Sequence, residues 1–172
     1  MKRRIFLLAA MIWMIVIYCF SAQNAAESGD LSGGLLEKFM RIFVPNWEQL
    51  SAAQQTAKLD AVHTIFRKCA HFTEYALLGI LWTLAVRTGH WQRSKCPKWR
   101  IWLPFALSLV YAASDELHQK FVDGRGSSLR DVCIDFCGAC TGILLLCLAA
   151  AVFRRLRQKH QMNKQIKNTA EA

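Results

Sequence analysis

The amino-acid sequence predicts an all-α, polytopic membrane protein: a four-transmembrane-helix bundle with an extracytoplasmic interfacial helical loop. Three observations carry that class. Long stretches free of charge recur along the 172 residues. His71, Glu74, Asp115, Glu116, His118, Arg125, Asp131 and Asp135 stand in or beside those stretches, always at the same predicted end. Unopposed positive charge gathers at the other end. A charge at the bilayer centre costs roughly 2.5–3.5 kcal/mol on insertion scales, so these ionisable groups are expected to face one another rather than lipid.

Ile5 to Phe20 and Val132 to Phe153 are apolar apart from Asp135, and each is long enough for the roughly 17–25 residues of a spanning helix. The two middle runs, Tyr75 to Val86 and Ile101 to Ala113, reach that length only if Ala70–Glu74 and Ser114–Gln119 enter the headgroup region. Trp99 and Trp102 suit an interfacial belt at the start of the third span. The predicted spans are therefore about 5–22, 68–87, 100–118 and 131–153. They make one membrane domain over 1–153, followed by a basic cytoplasmic tail over 154–172 without regular structure. The first span also has the basic start and apolar run of a signal peptide, with Ser21, Ala22 and Ala25 near a cleavage point; an uncleaved anchor is the favoured reading.

Charge asymmetry orients the bundle. Lys2, Arg3 and Arg4, the second loop with Arg87, Arg93, Lys95, Lys98 and Arg100, and the tail from Arg154 to Lys167 belong on the cytoplasmic side. Both termini are then inside, as an even number of spans requires, and the site faces outward across the cytoplasmic membrane. The formal net charge of +10 belongs with anionic lipids at the inner surface. Nucleic acid is not an expected partner, since no motif for it is present.

Cysteines occur at positions 19, 69, 96, 133, 137, 140 and 147. Most lie inside spans, where cysteine behaves as a small apolar residue. Cys133, Cys137 and Cys140 make a helical stripe, and Cys69 and Cys133 lie at the same boundary, where oxidation could pair them. No metal site and no cofactor are assigned from these.

In the first outer loop, Leu35, Leu36, Phe39, Met40 and Phe43 recur at helical spacing until Pro45, which predicts a short interfacial helix. Ser51 is placed to cap a second helix that continues without Pro or Gly into the second span. On it, Lys68, His71, Glu74 and Tyr75 share one face. A carboxylate beside an imidazole fixes its tautomer and makes it a competent general base or a metal ligand, or else Glu74 hydrogen-bonds a neighbouring helix and locks the bundle.

The third span closes with Asp115, Glu116, His118 and Gln119, of which Asp115, His118 and Gln119 share a face if the helix continues. Gly124 and Gly126 then allow a tight turn that presents Arg125, either to a phosphate or carboxylate or to one of the neighbouring acids. Ser128 and Asp131 have helix-capping spacing. Asp135 lies one turn further in, on the face of Gly138 and Gly142, whose small-xxx-small spacing lets a neighbouring helix approach closely.

The strings RKCAHFTEYALLG and SDELHQKFVDGRGSSLRDVCIDFCG, and more weakly YCFSAQNAAESGDLSGG, resemble the VanZ-like family of small polytopic membrane proteins, over about Ile12 to Leu146. The resemblance carries over, position by position, to Lys68, His71, Glu74, Tyr75, Asp115, Glu116, His118, Gln119, Arg125, Asp131 and Asp135. Asp123 departs from the family pattern, which often has Pro before the Gly-Arg. The resemblance implies action at the cell envelope and a link to resistance against the glycopeptide teicoplanin. Two functions of different class follow. The chain either binds a lipid-linked cell-wall intermediate or glycopeptide-related ligand through Lys68, Tyr75, Gln119, Arg125, Asp131 and Asp135, or performs acid–base or metal-assisted hydrolysis or transfer with His71, Glu74, Asp115, Glu116 and His118 as its catalytic group.

Overall fold

The computed structural model describes residues 2–88, 99–124 and 126–170. These residues form five α-helices and no strand: α1 (Lys2–Ser21), α2 (Ala25–Phe43), α3 (Ala52–Arg87), α4 (Trp99–Gln119) and α5 (Leu129–Ala170), with a 3₁₀ turn at Trp47–Gln49. Arg93, Lys95, Cys96, Lys98 and Arg125 lie outside the described residues.

Among the described residues three helices are long and apolar enough to cross a membrane: α1, α3 and the part of α5 from Leu129 to Lys164. The α4 helix, expected as the remaining span, is not among them. Its 21 residues are sufficient in length, but its apolar run ends at Ala113 and the last turns carry Asp115 and Glu116. The outward faces of the bundle are strongly apolar. Leu8, Ile12 and Ile15 on α1, Trp102 and Val110 on α4, and Leu144, Leu145 and Leu148 on α5 are all exposed. Apolar surface on this scale fits the membrane that α1, α3 and α5 are long and apolar enough to cross.

The interior joins α1, α3, α4 and α5 through Ala10, Ile17, Tyr75, Leu78, Trp82, Ala85, Ala112 and Ala139. The α3–α5 seam sets the geometry. A Cβ at Gly138 or Gly142 would overlap the carbonyl oxygen of Phe72 or Ala76, and one at Gly79 would stand 2.5 Å from that of Ala139. The glycine spacing read from sequence is thus a backbone-to-backbone contact, and it turns Asp131 and Asp135 toward α3. At the opposite end, Arg87 donates to the Cys147 sulfur at 3.0 Å. The α1 helix is fastened by Trp13 Nε1 to the Glu74 carbonyl at 2.9 Å and by its own Met14 carbonyl, which accepts from the Tyr111 hydroxyl at 2.5 Å.

Two expectations about element boundaries are corrected. The interfacial helix begins at Ala25, well before the apolar pattern, and so includes Gly29, Gly33 and Gly34. Local propensity disfavours this, but tertiary packing overrides it: Leu36 is buried, Ser32 Oγ lies 2.7 Å from His63 Nε2 of α3, and Phe39 stacks near Phe66. The tail expected to lack regular structure continues α5 to Ala170, with exposed side chains from Arg154 through Lys164. Its Arg, Lys, Gln, Leu and Met residues are good helix formers, and no Gly or Pro interrupts them.

Ser51 caps α3 as its spacing predicts. Its hydroxyl accepts from the Gln54 amide, while the Gln54 side chain accepts from the Ser51 amide at 3.0 Å. Ser51→Ala is expected to destabilise the N-terminal half of α3 by about 1 kcal/mol, seen as faster amide exchange over the first turns of α3 with α4 and α5 unchanged.

Candidate functional site

The C-terminal turns of α1 and α4, the middle of α3 and the first turns of α5 meet at one end of the bundle. The α4 helix does persist past Ala113, and its final turns place Asp115, Glu116 and Gln119 inside, at 3 %, 5 % and 5 % exposure. Asp115 Oδ2 accepts from the Ser21 hydroxyl at 2.8 Å and from Gln119 Nε2 at 3.3 Å, and Gln119 Nε2 also reaches Ser21 Oγ at 3.3 Å. This three-residue knot ties the end of α1 to the end of α4. Tyr75, fully buried on α3, sets its hydroxyl beside Asp115 without a well-formed hydrogen bond.

Glu116 does a different task. Its Oε2 accepts from the Ser128 amide at 3.0 Å, while the Ser128 hydroxyl accepts from the Arg130 amide at 3.2 Å. The Ser128/Asp131 spacing predicts a cap in which Asp131 returns the bond. Instead α4 supplies the acceptor, and Asp131 is released to pair with Lys68 across the α3–α5 seam.

His71 and Glu74 stand one turn apart on α3, with His71 Nδ1 3.8 Å from Glu74 Oε2, and both are half-buried. His118 does not join them. Its ring stacks on Tyr18 of α1 with centroids 4.7 Å apart, so it belongs to the α1–α4 contact. The Asp115/Glu116/His118 group expected from sequence is therefore divided: Asp115 ties α1, Glu116 caps α5, and His118 packs against an aromatic ring.

A cavity of about 120 Å³ opens among these elements, lined by Thr64, Arg67, Lys68, His71, Glu116, Gln119, Gly124, Gly126, Asp131, Ile134 and Asp135. Asp135 is 2 % exposed, lines this cavity and makes no hydrogen bond among the described residues. Asp115, Glu116, Asp131 and Glu74 are all within electrostatic range of it. Buried polar groups are as a rule hydrogen-bonded, which makes the cavity wall at Asp135 a place where a polar group of a ligand can be received. Of the predicted site residues, Lys68, His71, Glu116, Gln119, Asp131 and Asp135 line the cavity. Tyr75 and Asp115 lie behind it, and Glu74 faces the adjoining space. Gly124 takes φ 72°, the turn conformation expected of it.

The sequence reading missed Arg67, Thr64 and Ser21 as members of the site. Arg67 and His71 share a helix face at i, i+4, a signal that was present; Ser21 has no local signature, since its role comes from α4. The described cysteines, Cys19, Cys69, Cys133, Cys137, Cys140 and Cys147, are free thiols. Among the described residues, no three His, Cys, Asp or Glu side chains stand together as a metal-ligand set.

A family model described as VanZ/LLP1 matches residues 6–152, and the chain belongs to that family. No curated protein and no solved structure matches it.

Proposed function

We propose that this VanZ/LLP1 family member binds a component of the cell envelope, lipid-linked or peptidoglycan-related, at the outer face of the cytoplasmic membrane, and through it contributes to glycopeptide resistance of the teicoplanin type. The observation that carries the reading is the cavity between α3, α4 and α5, with Asp135 buried in its wall, without a hydrogen bond among the described residues, and Lys68, His71 and Glu116 around it. Evolution tolerates a buried acid at membrane depth mainly where it serves a ligand or a polar network.

In this reading α4 crosses the membrane as a fourth span. Its acids turn into the bundle against Ser21, Gln119 and Ser128, while Trp102, Val110 and Leu117 face outward. The charge that lowers its hydropathy is thus hidden from lipid. The basic segments at Lys2–Arg4 and from Arg154 onward then lie inside, against anionic lipid.

A second reading, acid–base hydrolysis or transfer, is favoured by one observation: His71 lines the cavity with the Glu74 carboxylate 3.8 Å from its Nδ1, an arrangement that orients a base. One experiment separates the two. Full-length protein purified in mild detergent is incubated with an envelope lipid extract, and the retained compounds are analysed by mass spectrometry. Binding predicts an unchanged compound retained by the wild type and lost in Glu116→Gln and Asp135→Asn. A chemically altered product that requires His71 supports the enzyme, and retention indifferent to all three positions defeats both. A reporter inserted after Gly124 should be extracytoplasmic; a cytoplasmic location overturns the orientation.

A further inference from the structure

Beside the polar cavity lies an apolar one of about 210 Å³ bounded by Phe20, Leu35, Phe66 and Ala70, and the two share Arg67 and His71 in their walls. A third hollow of about 410 Å³ adjoins it along α3 through Phe66, Ala70 and Glu74 and leads to Trp13 and Leu77 on the outward surface. Together they form one track: an apolar groove on the membrane side, a junction at Arg67 and His71, and a small polar chamber ending at Asp135.

The charges along this track are ordered. At the junction, Arg67 is half-buried and holds no ion pair among the described residues. Within the chamber Lys68 and Asp131 neutralise one another, which among the described residues leaves the acids Glu116 and Asp135 facing the space, while Glu74 lines the apolar cavity beside His71. A ligand matching this order has an apolar chain, then an anion, then a hydrogen-bond-donating cation. Volume sets the size of the last part. An apolar cavity of about 150 Å³ takes a benzene molecule, so about 120 Å³ admits a head of roughly half a dozen heavy atoms. A disaccharide–peptide is far too large to enter.

Building on the binding function proposed for this site, we infer that the chain recognises an amphiphile with a primary-amine phosphate head, of the phosphoethanolamine type, which enters sideways from the outer leaflet. The chain lies along Phe66 and Ala70, the phosphate meets Arg67 at the junction, and the ammonium donates to Asp135 and Glu116.

The test uses the full chain in maltoside micelles, titrated by native mass spectrometry with single-chain lipids of one acyl length that carry phosphoethanolamine, phosphoglycerol, phosphocholine or bare phosphate heads. Phosphoethanolamine is expected to bind about tenfold more tightly than the other three, the worth of one charge-assisted hydrogen bond. Asp135→Asn, which keeps shape and polarity, should erase that preference while leaving the melting temperature unchanged; Arg67→Gln should weaken all four phosphates alike. Equal affinity for all heads, or a preference that survives both Asp135→Asn and Glu116→Gln, overturns the inference. So does chain-free O-phosphoethanolamine binding as tightly as the lipid. If another envelope amphiphile needs the cavity without regard to an amine, this inference alone falls. If no envelope component needs the cavity, the binding function falls with it.

Discussion

Gly142→Val is expected to keep α3 and α5 from closing fully and to lower the melting temperature of the bundle more than any other single substitution considered. Even the first carbon of the new side chain would overlap the Ala76 carbonyl, and the obstacle is helix backbone rather than a side chain that can turn aside. Gly138 and Gly79 face the same kind of contact one turn to either side, so the strain cannot be relieved by a small local shift. Overpacking ordinarily costs about 1–3 kcal/mol, and a β-branched residue at the middle of this seam should reach or exceed the top of that range. In lipid the loss is felt fully, because helix association there depends on close packing rather than on hydrophobic burial. Thermal unfolding in detergent, followed by circular dichroism, measures it. Gly33→Ala is the matched control: that glycine has open space around its Cβ position, and the substitution should leave stability unchanged or raise it by about 0.5–1 kcal/mol. A Gly142→Val protein that melts like the wild type would show that the seam is not as described.

Asp115→Leu should produce the next largest loss, about 2–3 kcal/mol, the worth of hydrogen bonds to a buried charge. The reason is what remains behind. Ser21 and Gln119 would stay buried with no carboxylate to donate to, and the Tyr75 hydroxyl would lose its polar neighbour. Ser21→Ala alone removes one neutral donor and should cost about 1 kcal/mol. The double-mutant cycle between positions 115 and 21 should then give a coupling well above 0.5 kcal/mol, the range found for residues in direct contact. Coupling near zero would mean that the knot does not hold α1. Limited proteolysis adds an independent reading, since a released α1 should open the 22–24 connection in Asp115→Leu but not in Asp115→Asn.

The two variants probe features that differ in how far local sequence announces them. The glycines of α5 and the shared face of Lys68 and His71 follow from helical periodicity, which relates residues three or four apart whatever the surroundings. The fate of Asp131 does not. Its spacing from Ser128 describes a cap, yet Lys68, 63 residues away, takes its carboxylate, and Glu116 supplies the missing acceptor. His118 is the same kind of case, drawn from the acids beside it to Tyr18 on another helix. The glycine-rich start of α2 shows the converse, a segment with poor helix propensity held helical by its contact with α3.

The sequence by itself determined that the chain is helical, that several helices are apolar enough for a membrane, that ionisable residues collect at one end, and that the chain resembles the family to which it belongs. Those properties depend on composition and on the 3.6-residue period, both written along a single strand of chain. Only the tertiary structure decided which acid does what: Asp115 to fasten α1, Glu116 to cap α5, Asp131 to pair with Lys68, and Asp135 to line a cavity. A side chain's partner is set by how the helices approach, and here that approach is fixed by glycine-to-carbonyl contact between α3 and α5, a geometry that exists only after both helices have formed and met.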